Sequence, residues 1–97
     1  MKTITINTTI FDETYTLIFD GKEYTLPIKI EDKDIDNLRK TLAGGKIELN
    51  EQETLDFLFE IAPNSKEIFD TLGETSFMRA IYQILPDILK AIESAIQ

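Results

Sequence analysis

The side chains able to do chemistry in this chain are almost all carboxylates. Its 97 residues hold 18 Asp and Glu against 10 Lys and Arg, with no histidine and no cysteine. That composition excludes thiolate and imidazole zinc sites, cysteine nucleophiles, Ser-His-Asp triads, histidine general bases and disulfides. Carboxylate chemistry remains. In "EDKDID", Asp32, Asp34 and Asp36 fall at alternate positions, like the opening of a calcium loop. The likeness fails further on, because Asn37 stands where the turn glycine belongs and Ala43 where the bidentate glutamate belongs. Acids in the first turn of a helix are favoured by the helix dipole, which accounts for them more simply. "AGGK", residues 43–46, lacks both the spacer between glycines and the Ser or Thr that a phosphate-binding loop needs, and reads as a helix stop. Glu53 with Asp56, and Glu67 with Asp70, stand three residues apart on presumed exposed helix faces. A glycosidase-like pair could be drawn from any two acids lining a cleft, and nothing in the sequence defines one. The expectation is a protein that is not an enzyme and uses no cofactor or metal.

Size and charge narrow the class further. A chain of 97 residues with 42% apolar content makes one domain, residues 1–97, near the lower limit for a core without staples. The net charge of −8 argues against direct nucleic-acid binding through phosphates and leaves a cationic partner open. An acidic surface also serves solubility alone. "MKTITINTTI" alternates where a signal peptide would be continuously apolar, and no apolar run approaches the roughly 18 residues of a membrane span. A soluble, cytoplasmic protein with no membrane association is expected.

The elements follow from periodicity. Residues 3–10 alternate, with Ile4, Ile6 and Ile10 on one side, which predicts a first strand. "DETYTLIFDGKEYTLPIKI" alternates on both sides of Asp20-Gly21, a dipeptide suited to a two-residue type I′ turn. That turn sets Phe19 opposite Lys22, Leu17 opposite Tyr24 and Tyr15 opposite Leu26, so Tyr15, Leu17, Tyr24, Leu26 and Ile28 share one face. Ile18 falls on the other face, and Pro27, lacking an amide donor, marks a strand edge. A short helix through Ile35, Leu38 and Leu42 stops at Gly44-Gly45. A second starts at Asn50 with Glu53 as capping-box partner, carries Leu55, Leu58, Phe59 and Ala62, and ends at Pro63. The third runs from a cap at Ser65 to Gly73. The last and longest carries Phe77, Ile81, Ile84, Leu85, Ile88, Ile92 and Ala95, with Pro86 expected to kink it or split it. The predicted architecture is α+β: a three-stranded antiparallel meander over residues 1–30, then about four helices over residues 31–97.

Two surfaces stand out. Residues 48–74 hold eight acids against Lys66 alone, a net −7, whereas residues 75–97 balance to zero. The last helix also carries Met78, Tyr82, Ala91 and Ile96 off its main stripe, a wider apolar arc than packing on a small sheet requires. A small core can equally use all of it. Met78, Tyr82, Ile88 and Ile92 are therefore the candidate partner-binding residues, with Glu51, Asp56 and Glu60 as the candidate acidic face. The hairpin face is expected to cover the protein's own helices, and a free sheet edge could pair with another subunit.

A small acidic chain opening on "MKTITI", passing through "DGKEYTLPI" and "LDFLFEIAP" and closing on "FMRAIYQILPDILKAI" resembles the tail assembly chaperones of long-tailed phages of Gram-positive bacteria. The likeness spans nearly the whole chain as one of layout, without a ligand motif. It implies a protein that coats the tape measure protein before the tail tube polymerises, can recruit tube subunits, self-associates, is absent from the finished virion, and often has a frameshifted longer form. Two alternatives belong to other classes. One is a small acidic phage inhibitor that mimics phosphate to a host nucleic-acid-binding defence enzyme, although Phe57, Phe59 and Ile61 interrupt its acids. The other is a structural tail or connector component retained in the particle.

Overall fold

A computed structural model describes residues 1–38 and 49–96. Its centre is the hairpin of β1 (Thr9–Phe19) and β2 (Lys22–Glu31), closed by Asp20 at φ 50° and Gly21 at φ 82°. Both central residues of the turn have positive φ, as a type I′ turn requires, and the pairing runs as the pattern predicts: Phe19 with Lys22, Leu17 with Tyr24, Tyr15 with Leu26. A register shift between Thr9 and Phe11 places a bulge at Ile10.

The helical part follows as α1 (Asp32–Leu38), α2 (Glu51–Ile61), α3 (Ser65–Leu72) and α4 (Glu74–Ile96). At the start of α2 the Asn50 side chain accepts from the Glu53 amide at 2.8 Å and the Glu53 carboxylate accepts from the Asn50 amide at 3.2 Å. The predicted capping box is formed. Ser65 is the first residue of α3 rather than its cap. Its buried hydroxyl donates to the Leu58 carbonyl, tying α3 to α2, while Asn64 in the cap position sends its amide instead to the Thr25 carbonyl at 2.6 Å. Gly73, at φ 85°, turns the chain between α3 and α4. The expected Leu42 contact and glycine stop lie outside the described residues.

The helices cover one face of the hairpin, with α4 against β1, α1 and α2 against β2, and α3 between α2 and α4. Leu26, Ile28 and Ile30 from the sheet meet Leu58, Phe77, Ile81 and Ile88 from the helices in one core. Phe59, Phe69 and Phe77 link α2, α3 and α4 edge to face, with centroids 5.6 and 5.5 Å apart.

One expectation is overturned and another narrowed. The fold is α+β, but among the described residues its sheet has two strands, not the three of the predicted meander. Residues 3–8 are exposed and lie in no strand, and the alternation assigned to a separate first strand leads instead into β1 through the bulge. Of the two outcomes expected at Pro86, a kink or a split, the split does not occur, since α4 runs through Pro86. Proline at 86 leaves the carbonyl of Tyr82 without its helical donor, but both residues lie on the exposed side, where water can serve that carbonyl.

Candidate interaction surface

The structure separates the residues singled out on the last helix. Phe77, Ile81, Ile84, Ile88 and Ile92 recur at the spacing of one helical face, and that face is pressed on the sheet. Met78, Ile88 and Ile92 are buried in this core, so they offer nothing to a partner; the wide apolar arc is largely used internally. Tyr82 is 58% exposed and stays on the surface.

Glu51, Asp56 and Glu60 are all exposed on α2, but they do not form one row. At about 100° per residue, Glu51 and Glu60 project to opposite sides of the helix. Asp56 and Glu60 share a shallow hollow of about 290 Å³ with Glu53, and the Asp56 carboxylate accepts from the Gln52 amide at 2.9 Å. Among the described residues no group of three or more acids is placed to hold a metal ion. Asp34, one of the alternating aspartates, accepts from the Glu31 amide at 2.8 Å and so serves the start of α1.

Exposed apolar surface collects elsewhere, along the first strand and the segment leading into it. Ile4 is 84% exposed, Ile6 74% and Ile18 64%. Beside β1 lies a groove of about 580 Å³ between its Tyr15–Phe19 stretch and Ser76, Arg79, Ala80, Gln83 and Ile84 of α4. At Tyr15 the two walls are joined, the phenol donating to the Asp87 carboxylate at 3.3 Å. Burial raises the Tyr15 pKa, and the negative charge and hydrogen bond of Asp87, with Glu13 nearby, raise it further.

The hairpin register decides which backbone groups β1 leaves free. In an antiparallel pair the residues flanking a two-residue turn exchange hydrogen bonds, and bonded and non-bonded pairs alternate from there. Ile18, Thr16 and Thr14 are therefore in non-bonded pairs, and their amides and carbonyls point away from β2. The same alternation turns Thr25 and Pro27 outward on β2, where the Thr25 carbonyl meets Asn64 and Pro27 has no amide to satisfy. One edge of the sheet is thus partly closed, while the edge at Thr14, Thr16 and Ile18 is paired with no described strand. The sequence carried a signal for this arrangement. Isoleucines occupy even positions up to Ile10, and from Phe11 the apolar residues of β1 other than Ile18 occupy odd ones, the parity break of a bulge within one continuous strand rather than of a turn between two.

Comparison with known proteins returns no match, whether to family models, to curated proteins or to solved structures. No described helix is long and apolar enough to cross a membrane.

Proposed function

We propose that this chain is a non-enzymatic protein-interaction module that works in the cytoplasm as a phage tail assembly chaperone, shielding the tape measure protein during tail morphogenesis. The supporting observation is exposed apolar side chains, Ile18 at the β1–α4 groove and Ile4 and Ile6 on the leading segment, on a chain of net charge −8. A holdase needs both features: apolar surface to cover a long amphipathic helical client, and charge to keep the complex dispersed. The nature of the client comes from the layout likeness to tail assembly chaperones. The proposed contact surface moves from Met78, Ile88 and Ile92 to the sheet edge and Tyr82. A phosphate mimic would present its carboxylates in a regular array, and the divergence of Glu51 from Glu60 speaks against that role.

The test is co-expression with a tape measure protein of a long-tailed phage of a Gram-positive host. Co-purification and a larger soluble yield of the client are expected. A client that stays insoluble and unbound would sink the proposal, and recovery of this chain in finished particles would make it a structural tail component.

A further inference from the structure

Residues 3–8 carry a strand pattern but lie in no strand, and β1 has an edge that no described strand pairs with. The leading segment alternates Thr3, Ile4, Thr5, Ile6, the sequence of a half-buried strand, yet every residue of it is exposed and no described residue pairs with it in a ladder. It does not fold back on its own β1 edge. The Thr8 carbonyl accepts from the Asp32 amide at 2.9 Å on the β2 side, which ties the end of the segment to the β2 side of the hairpin. Seven extended residues reach about 23 Å. The molecule accordingly has a long axis of 56 Å and a radius of gyration of 14.8 Å, against about 12.5 Å for a compact chain of this length.

The bulge at Ile10 makes the two unpaired elements complementary. From Phe11 onward the odd residues Tyr15 and Leu17 face the helices and the even residues turn their backbone groups outward; before Thr9 both parities are reversed. Continued through the segment as a regular strand, that parity gives Thr3, Thr5 and Asn7 outward amides and carbonyls, in keeping with the inward bond of Thr8, and sets Ile4 and Ile6 on the helix-covered side. Run antiparallel against β1 of another molecule, the segment sets Thr3 opposite Ile18, Thr5 opposite Thr16 and Asn7 opposite Thr14. In that register every outward group meets an outward group. Ile4 and Ile6 fall on the side of Tyr15 and Leu17, beside the groove formed with α4. The only charged side chain in residues 3–8 or its flank is Lys2, so this is the part of the chain that a second acidic copy repels least.

We infer that two copies exchange their leading segments, each adding residues 3–7 as a strand to the β1 edge of the other. The exchange is reciprocal about a two-fold axis perpendicular to the sheet near the bulge, and it produces one four-stranded sheet in the order β2-β1-β1-β2 with all helices on one face. This inference stands on strand geometry and does not depend on the tape measure client: a dimer that ignores the client, or a monomer that binds it, would separate the two.

The test is light scattering of the full chain from low micromolar to submillimolar concentration. A rise from 11.1 kDa to twice that mass is expected, and it should persist in high salt. Ile4→Asp with Ile6→Asp should abolish the dimer and leave the circular dichroism unchanged, because these side chains lie outside the core and are largely exposed in the monomer. Thr16→Pro should do the same from the other side, removing an outward amide that the hairpin does not use. If that proline unfolds the hairpin, the arm variant still decides. A wild-type monomer across the whole range, or an arm variant that keeps the wild-type mass, would overturn the exchange.

Discussion

Two isoleucine-rich segments of this molecule meet opposite fates. In α4, Ile81, Ile84, Ile88 and Ile92 recur at helical spacing and all are buried, while in residues 3–8 Ile4 and Ile6 recur at strand spacing and stand 84% and 74% exposed. Side-chain chemistry is identical, so the difference lies in the backbone. A helix satisfies its own amides and carbonyls and needs only a surface to lie on, which the hairpin face supplies. A strand needs a surface and a neighbour, because its backbone groups pair laterally. Among the described residues one edge of β1 pairs with β2 and the other with no strand, and the proposed exchange would give the leading segment its complement in a second molecule.

That contrast can be attacked at points of decreasing weight. The heaviest blow falls on the face that α4 covers: Leu26→Asp places a charge among Ile28, Leu58 and Ile88 and should cost more than about 4 kcal/mol, read as loss of the cooperative urea transition. A folded product would mean that the sheet face is not the core. Ile88→Ala should cost about 2–5 kcal/mol by leaving a cavity against the sheet. A loss below 1 kcal/mol would place α4 more loosely than the structure does.

The link between the two walls of the groove gives a smaller, pH-dependent effect. The folded state holds the Tyr15 proton more tightly than the unfolded chain, whose tyrosines titrate at 10.0, so its contribution is complete below that pH and fades as pH rises through the higher folded value. Tyr15→Phe should remove this component, flattening the alkaline decline of stability in denaturant melts; an unchanged decline would place its origin elsewhere. The smallest effect is expected at Ile6→Asp. Below the association range, this charge in the leading segment should shift unfolding by less than about 0.5 kcal/mol, against the several lost at Ile88. An equal loss at both positions would erase the contrast between the segments.

Much of the local structure was legible in the residues. Asp20-Gly21 fixed the hairpin and its register, Asn50 and Glu53 fixed the start of α2, and Gly73 marked the break before α4, because each relies on interactions within a few residues. The failures share a different cause. Alternation in residues 3–10 correctly describes a strand-like segment but says nothing of whether a neighbour exists, and the extra apolar residues of α4 do not reveal how much of the helix a small sheet and three helices cover. Met78 and Tyr82 are four residues apart on the same helix, and only packing buries one and leaves the other in water.

The sequence by itself determined the α+β class, the turn, the capping box of α2 and the exclusion of thiol and imidazole chemistry, since these depend on residue type and short-range geometry. The tertiary structure alone decided that the described sheet has two strands, that α4 passes Pro86 unbroken, and that uncovered apolar side chains lie along β1 and its leading segment. Those outcomes depend on which elements find partners, and pairing is a property of the whole arrangement that no single stretch of chain encodes.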